Sequence, residues 1–359
     1  QTEVLRCMTE CLQWLHDGLT EFKITGKSGI SQARSRIHWE PIKSIFETCT
    51  RPIAAPGAAG CFYKDLRVVV MDGSDLDLDD CPANSEHFGR SSNQHGEGAY
   101  PKARIVGLME AGTHLVFGLS VGRFTLPKEP DESEPSDKSK SSTKKASENA
   151  LALDILPLLK PGMICLADTL FSSFELIDSA HKTGAEILFR TREDRKLPKE
   201  EILSDGSFLS TIYHSADSAR KNPKQIRVVE FILEVLVDGK RTKHSYRLIT
   251  TLLDADKYPW EELARLYRER WEVENMLANA KTRLMGSLPL RSRTPELVIQ
   301  EIYGMIMAHN LVRIAMYDAA ASVGIDPDVL SFTHSKKVIE RNMPRAGSFP
   351  PSGFAGTYS

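Results

Sequence analysis

The chain has 359 residues, of which 41% are hydrophobic and 26% are charged, and its formal net charge at pH 7 is -2. This composition excludes a collagen-like chain, a coiled-coil rod and a wholly disordered protein, and predicts a globular protein of one or two domains. No stretch is apolar over the roughly 18 residues that a membrane-spanning helix needs, and no signal peptide is visible, so a cytoplasmic location is expected. The six cysteines lack zinc-site spacing, which predicts reduced thiols.

The first region, residues 1–60, is predicted to be helical. Its apolar residues recur at helical spacing: Leu5, Met8, Leu12 and Leu15, followed by Ile37, Ile42, Ile45 and Phe46. Two interpretations stay open for this region, a DNA-reading module or a helical cap that packs on the main domain. The chain begins with Gln1 rather than Met, from which we expect that an upstream segment is missing.

The second region, residues 61–194, changes to a strand pattern. Three strands with a turn at Gly112 come first, and helices alternate with strands after them. The predicted elements are strands 66–71, 105–109 and 114–121, helix 148–160, strand 163–167, helix 172–183 and strand 186–190. This is the order of the ribonuclease-H-like fold, an α/β fold with a mixed sheet flanked by helices. Residues 127–149 are rich in Ser, Lys, Glu and Asp, which predicts a flexible loop.

Three further regions complete the predicted organisation. Residues 195–252 form a β-rich insertion, in which the runs 225–237 and 244–252 are joined through Asp238-Gly239, a hairpin signal. The core resumes over residues 253–322 with a long helix from Pro259 to about residue 284, then a helix over 295–321. The tail, residues 323–359, is rich in Pro, Gly and Ser and is expected to be loosely ordered.

Two aspartates stand at the ends of predicted strands. Asp72 follows the first strand and Asp168 follows the strand 163–167, a position at which a sheet holds side chains rigidly. An Asp-Gly pair after a strand is also typical of a turn, and an Asp before a helix is typical of an N-cap. For Asp168 the cap is disfavoured, because Ser172 and Glu175 have the spacing of a capping box.

The long helix carries polar groups on one face. At about 100° per residue, four of them fall within an arc of roughly 60°. They are Tyr267, Arg270, Glu274 and Lys281. Apolar residues border this arc, so it lies near the core. Two interpretations are open: a ladder of salt bridges, since Arg270 and Glu274 are spaced i, i+4, or the wall of an active site.

This spacing resembles the Y-R-E-K signature of bacterial DDE transposases of the insertion-sequence-four group. Further blocks that are similar to the group occur in order along residues 31–316. They are Asp72-Gly73-Ser74, Ala83-Asn84, Phe88-Gly89-Arg90, Gly184-Ala185, the run 246–254, Arg270-Trp271-Glu272 and the run 290–298. The chain departs from the group at Thr169, where many relatives have Arg.

The resemblance implies a set of site residues. Asp72, Asp168 and Glu274 become the catalytic carboxylates that bind metal, and three oxygen ligands suit Mg²⁺. Two ions are expected, and Mn²⁺ is expected to substitute for them. Tyr267, Arg270 and Lys281 become contacts to DNA phosphates at the transposon end.

Three more residues are candidates for DNA contact, each with a structural alternative. Arg190 stands at a strand end, where it binds a phosphate or caps the sheet. Trp271 stacks on a base or packs in the core. Arg291 follows the long helix and extends its basic surface.

The function that the resemblance implies is cut-and-paste transposition, with metal-dependent hydrolysis at transposon ends and strand transfer into target DNA. The expected partners are double-stranded DNA, as terminal inverted repeats and as target, and a second copy of the chain in a synaptic homodimer. No membrane partner is expected, and the location is cytoplasmic, at the nucleoid. Two alternatives stay open: a truncated or inactive transposase-derived DNA-binding protein, and a structure-unspecific nuclease on the same fold.

Overall fold

The structure is a computed structural model that describes residues 27–93, 96–125, 148–214, 220–237, 240–268, 270, 284 and 288–342. Several predictions therefore lie outside the described residues. They concern residues 1–26, the loop up to residue 147, the turn residues 238 and 239, Trp271, Glu274, Lys281 and the last residues 343–359. Within the described ranges, no helix is both long and apolar enough to cross a membrane.

The strands of the described ranges form one sheet of eleven strands. In chain order they are β1 (Phe62–Tyr63), β2 (Leu66–Asp77), β3 (Arg90–Asn93), β4 (Gly96–Glu110), β5 (Val116–Arg123), β6 (Met163–Ala167), β7 (Glu186–Arg190), β8 (Glu201–Ile202), β9 (Phe208–Ile212), β10 (Lys224–Val237) and β11 (Lys240–Thr250). The order across the sheet is β3-β4-β2-β6-β7-β11-β10-β9-β8, with β5 paired to β4 and β1 paired to β2.

Five of these strands form the ribonuclease-H-like sheet that the sequence predicts. β4 pairs antiparallel with β2 and β5, whereas β6 pairs parallel with both β2 and β7. β6 and β7 have the predicted bounds, because each is a short apolar run between turn residues. A meander followed by two parallel strands confirms the ribonuclease-H-like fold class.

β2 is longer than predicted and runs through Asp72 to Asp77. The turn interpretation of the Asp-Gly pair is wrong, because β4 pairs with β2 along this whole stretch, with Asp72 opposite Gly107. Gly73 has a different role, since a Cβ at this position would come within 3.3 Å of Glu148 Oε2. The glycine therefore leaves room for a neighbouring helix rather than for a turn.

Helices cover both faces of the sheet. They are α1 (Lys27–Ile37), α2 (Glu40–Cys49), α3 (Pro82–Phe88), α4 (Glu148–Ile155), α5 (Phe174–Lys182), α6 (260–268), α7 (Pro295–Val323) and α8 (Phe332–Asn342). Val68 and Val70 of β2 face a core that contains residues of α2, α6 and α7. Val69 and Met71 face the opposite core, with α4 and α5. This alternation is the period-two pattern of a strand buried on both sides.

The two N-terminal helices lie against the main domain. Gln300 Nε2 of α7 donates hydrogen bonds to the carbonyl oxygens of Arg34 and His38, at 2.9 and 2.5 Å. The rings of Phe46 and Tyr303 have centroids 5.5 Å apart. These contacts support the helical-cap interpretation for the described part of the region, and a DNA-reading role stays a prediction.

The β-rich insertion extends the core sheet. β11 pairs antiparallel with β7, with Leu248 opposite Arg190, and β10, β9 and β8 follow outwards. The predicted hairpin is confirmed by the β10–β11 register, which brings Val237 opposite Lys240. The insertion is therefore joined to the core by strand pairing as well as by the two chain segments that connect it to the core.

Two predicted elements need correction. The helix expected to reach residue 160 ends at Ile155 and is followed by a 3-10 turn, Leu156–Leu158, because Pro157 removes a helical hydrogen-bond donor. The tail is not loosely ordered over residues 327–342, where a 3-10 turn precedes α8. Phe332 of α8 is buried against residues of α7. Phe332–Asn342 contains no Pro or Gly, so the composition of the whole tail does not describe this segment.

Candidate active site

Asp72 and Asp168 lie side by side on two neighbouring parallel strands. β2 and β6 pair as far as Met71 and Ala167, and the two aspartates are the next residues. Neighbouring strands lie roughly 4.8 Å apart, so the two carboxylates occupy adjacent positions. The structure thus brings together the two predicted acids that it describes.

Arg190 continues this row on the other side of Asp168. Ala167 pairs with Phe189 of β7, so the residues that follow them, Asp168 and Arg190, are neighbours as well. We call Asp72, Asp168 and Arg190 the acid row. Two negative charges and one positive charge therefore stand side by side on three adjacent core strands, at the carboxyl ends of β6 and β7 and at the neighbouring position within β2.

The acid row points to the sheet face that α6 covers. Val70, Leu166 and Leu188 each precede a member of the row by two residues, and all three belong to the core that contains α6. Side chains two residues apart on a strand share a face. The row is therefore presented toward α6 rather than toward α4 and α5.

Asp168 also caps a 3-10 turn, Thr169–Phe171, by accepting a hydrogen bond from the Thr169 backbone N–H. The predicted capping box is wrong by one residue, because Ser173 caps α5 through a 3.4 Å bond from the Leu176 N–H. Asp168 is thus not excluded from a capping role. A carboxylate has about four lone-pair sites, so capping is compatible with metal binding.

Tyr267 connects α6 to the acid row. Its side chain is only 2% exposed, and its hydroxyl donates to the carbonyl oxygen of Ala167 at 3.4 Å. The Arg270 guanidinium, also buried, lies 5.2 Å from the centre of the Tyr267 ring. Burial raises the pKa of Tyr267; the charge of Asp168 adds to the rise, and Arg270 and Arg190 oppose it. These four residues are therefore close enough to influence one another electrostatically.

Replacing Tyr267 with Phe should lower the free energy of unfolding by about 1 kcal/mol at pH 7, because a buried hydrogen bond is lost. The raised pKa makes this effect depend on pH. The unfolded chain loses the phenolic proton near pH 10, so the stabilising contribution is complete below pH 10 and declines as the pH rises toward the pKa of the folded state.

Denaturant titrations of wild type and Tyr267→Phe at neutral pH and above pH 10 measure this difference, which should shrink at the higher pH. Tyr100→Phe is the control, since this side chain is 43% exposed and its removal should change stability by less than about 0.5 kcal/mol. A difference that is equal at both pH values would contradict the account of the Tyr267 hydroxyl.

The remaining predicted residues differ in their surroundings. Arg190 stacks on the ring of Tyr246, with 4.4 Å between the guanidinium carbon and the ring centre. Arg291 is exposed, in a segment that runs beside β2 through the bridge between Leu78 and Leu290. No group of three metal-ligating side chains occurs in the part of the chain that the structure describes, and Glu274 lies outside it.

The sequence pattern does not single out Tyr246, although the structure places it at the site. Its ring is buried beneath Arg190 and stacks on Phe231, with centroids 5.5 Å apart. The feature of the sequence that concerns Tyr246 is the period of two along the strand, which puts Tyr246 and Leu248 on one face. That pattern predicts burial but gives no reason to pair the ring with an arginine on another strand.

A family model described as "Transposase DDE domain" matches residues 131–311, which is just over half of the 359 residues. The chain belongs to the DDE transposase family. The matched range contains Asp168 and Glu274. Asp72 lies before that range, so its assignment depends on the strand register.

Relatives of the chain include InsG of Escherichia coli K12, the transposase for insertion sequence element IS4. The two are 28% identical over 318 residues, which cover 88% of this chain and 66% of InsG. The chain thus spans just under two thirds of the length of InsG. InsZ, a transposase-like protein of the same strain, is 23% identical over 265 residues, covering 72% of this chain and 77% of InsZ. These similarities confirm the resemblance to the insertion-sequence-four group.

Among solved structures, the synaptic complex of piggyBac transposase with hairpin DNA is similar to this chain, with a TM-score of 0.46 and 13% identity. The similarity covers 97% of this chain and 72% of the piggyBac chain. The fold assignment depends on the sheet topology.

Proposed function

We propose that this transposase hydrolyses phosphodiester bonds at transposon ends and joins the freed 3′-hydroxyls to target DNA. Asp72, Asp168 and Glu274 are the proposed metal-binding carboxylates. The observation that carries the proposal is the convergence of Asp72 and Asp168 at adjacent positions on the sheet face beneath α6. Membership in the DDE transposase family supports the same chemistry.

The donor set fits a hard divalent cation. Two adjacent aspartates provide carboxylate oxygens, which Mg²⁺ prefers and Mn²⁺ also accepts. Glu274 follows Tyr267 by seven residues, a spacing that on a helix puts both on one face. When bound, a pair of such ions activates the attacking water or hydroxyl and stabilises the leaving oxygen.

The groups of the chain itself bind and orient the DNA strand. Arg190 provides a positive charge beside Asp168, and the Tyr246 ring under its guanidinium restricts the side chain. An arginine held in this way is suited to a phosphate oxygen next to the scissile bond. The other proposed DNA contacts are Trp271, Lys281 and Arg291. Tyr267 and Arg270 are buried, so their proposed role is to support the acid row from α6 rather than to contact DNA at the surface.

We further propose that the chain acts as a homodimer on double-stranded DNA. Transposition requires two transposon ends to be held together, and each protomer contains a single acid row. Two protomers therefore supply one catalytic centre for each end. Binding to the terminal repeats positions each centre at its transposon end.

Strand cleavage by the full chain on duplexes that carry the terminal repeats flanking its gene tests the proposal. Nicks at the repeat ends are expected with Mg²⁺ or Mn²⁺ and should disappear with a chelator. Equal cleavage of a duplex with scrambled repeats would instead support a structure-unspecific nuclease. Repeat-specific binding without cleavage in either metal would support an inactive DNA-binding protein.

A further inference from the structure

A buried ion pair of the insertion holds the first residue of α6. We propose that Arg227 is a positioning residue, which together with Asp205 fixes the start of α6 and thereby the placement of Tyr267 against β6. The expected effect on DNA cleavage rests on the proposed function, whereas the effect on the position of α6 does not.

Arg227 lies on β10, and its side chain is completely buried. Its Nε donates to Ser207 Oγ at 2.7 Å, and its Nη2 binds the Asp205 carboxylate. Its Nη1 donates to three carbonyl oxygens of the segment that returns from the insertion, those of Leu252, Asp254 and Tyr258, at 3.4, 3.4 and 2.7 Å. One guanidinium thus organises the whole connection from β11 to α6.

Asp205 links this guanidinium to the helix itself. Its Oδ2 accepts a hydrogen bond from the backbone N–H of Trp260, the first residue of α6, at 3.1 Å. Its Oδ1 accepts bonds from the backbone N–H and the hydroxyl of Ser207, at 3.0 and 2.5 Å. A negative charge at a helix N-terminus is favourable, because the first N–H groups carry partial positive charge.

α6 needs this contact because its own sequence supplies no capping side chain. Pro259 is at the N-cap position, since its carbonyl oxygen accepts from the N–H groups of Glu262 and Leu263, at 3.1 and 3.2 Å. Proline lacks the side-chain oxygen with which Ser, Thr, Asp or Asn caps a helix. Asp205, far upstream in the insertion, takes this role.

The start of α6 determines where Tyr267 lies. Trp260 and Tyr267 are seven residues apart, which corresponds to roughly 10.5 Å along the helix axis. Leu263 and Leu266 between them are buried in the core under α6, so the helix is supported along its length. A shift or rotation at Trp260 would therefore be transmitted to the Tyr267 hydroxyl and to the acid row.

The buried Arg227–Asp205 ion pair is better explained by a role in orienting the start of α6 than by a gain in stability. Burying two charges costs desolvation free energy, and apolar residues of similar size often stabilise a core equally well. The planar guanidinium of arginine holds its hydrogen-bond partners in a fixed arrangement, whereas the ammonium of lysine is a point charge that does not. Burial acts to raise the pKa of Asp205, but hydrogen bonds from Ser207 and Trp260 and the charge of Arg227 hold it below its usual value. The pair therefore stays charged at neutral pH.

Arg227→Lys is the informative variant, because it keeps the charge and removes the fork. Arg247→Lys is the matched control. Arg247 lies on β11 of the same hairpin and pairs with Glu230, its Nε donating at 2.7 Å. Its Nη1 donates to the carbonyl oxygens of Glu193 and Arg195, at 2.7 and 2.9 Å, rather than to the segment before α6. Each substitution thus exchanges an ion-paired arginine for lysine on the same pair of strands.

Hydrogen exchange of the full chain, followed by mass spectrometry, reports the seating of α6. In Arg227→Lys, the amides of residues 258–263 should exchange about tenfold faster than in wild type, with other core segments unchanged. On duplexes with the terminal repeats, kcat for cleavage should fall about 10- to 100-fold while KM for DNA stays within about threefold. Arg247→Lys should match wild type in both measurements.

A local cap should rescue the defect. Adding Pro259→Ser to Arg227→Lys gives α6 its own capping hydroxyl, and exchange of residues 258–263 should return toward the wild-type rate. If Arg227→Lys does not fold, Ser207→Ala, which removes one partner of the fork, should show a smaller change in the same segment.

Exchange in residues 258–263 that is equal in Arg227→Lys and Arg247→Lys would overturn the positioning role. Faster exchange spread evenly over the chain would overturn it as well, because it would indicate general destabilisation. If wild type does not cleave the repeats, the proposed function fails, and the exchange measurement still decides how α6 is held.

Discussion

Asp72→Asn and Asp168→Asn should each lower the rate of strand cleavage by about 10³-fold or more, equivalent to about 4 kcal/mol of transition-state stabilisation. Asparagine keeps the shape of aspartate but lacks the charge that a hard divalent cation requires. The fold should be retained, because both side chains are only partly buried and because asparagine also caps the turn after residue 168. Single-turnover cleavage and DNA binding measure the two effects separately.

Asp77→Asn is the control for these variants. Asp77 lies on the same strand five residues further along, which puts it on the opposite face, and it pairs with Lys102 at 2.9 Å. Its substitution should leave cleavage within about threefold of wild type. Glu274→Gln should lose as much activity as the two aspartate variants. Cleavage at the wild-type rate in any of the three would remove that carboxylate from the catalytic set.

Glu110→Ala should lower the free energy of unfolding by about 3–5 kcal/mol, the cost of breaking a buried ion pair. The Glu110 side chain is completely buried and binds the Arg67 guanidinium. It also accepts hydrogen bonds from the backbone N–H groups of Ile53 and Ala54, at 3.0 and 3.1 Å, and from Thr113 Oγ1 at 2.8 Å. The substitution removes the partner of all these donors at once.

Urea titration measures this loss from the midpoint and slope of unfolding. Glu97→Ala is the control on the same strand, since Glu97 is exposed and its removal should cost less than about 0.5 kcal/mol. Because Glu110 holds the segment that follows α2, hydrogen exchange should rise first in α1 and α2. A change below about 1 kcal/mol in Glu110→Ala would show that the N-terminal helices are held by other contacts.

Elements with a strong local pattern could be predicted from the sequence. β6 and β7 are short apolar runs between turn residues, and their bounds match the structure. The hairpin of β10 and β11 could be located from Asp238-Gly239 because a two-residue loop of this composition favours tight strand reversal. In each case, the residues that determine the element lie within the element or next to it.

Elements whose limits depend on distant contacts could not be predicted. β2 continues past Met71 because β4 pairs with it as far as Asp77, and this pairing is not encoded in the Asp-Gly pair itself. α8 was missed because the prediction used the composition of the whole tail, whereas Phe332–Asn342 contains no Pro or Gly and Phe332 is buried against α7. Local propensity is a weak preference that tertiary packing overrides.

By itself, the sequence determined which acids were candidates, their order along the chain and the class of fold that presents them. Only the tertiary structure decided that Asp72, Asp168 and Arg190 stand in one row, that Tyr267 is buried against β6, and that Arg227 holds the start of α6. The reason is physical: spacing and periodicity reflect interactions between residues close in the chain. Strand register and buried hydrogen-bond networks arise only when segments far apart in sequence pack together.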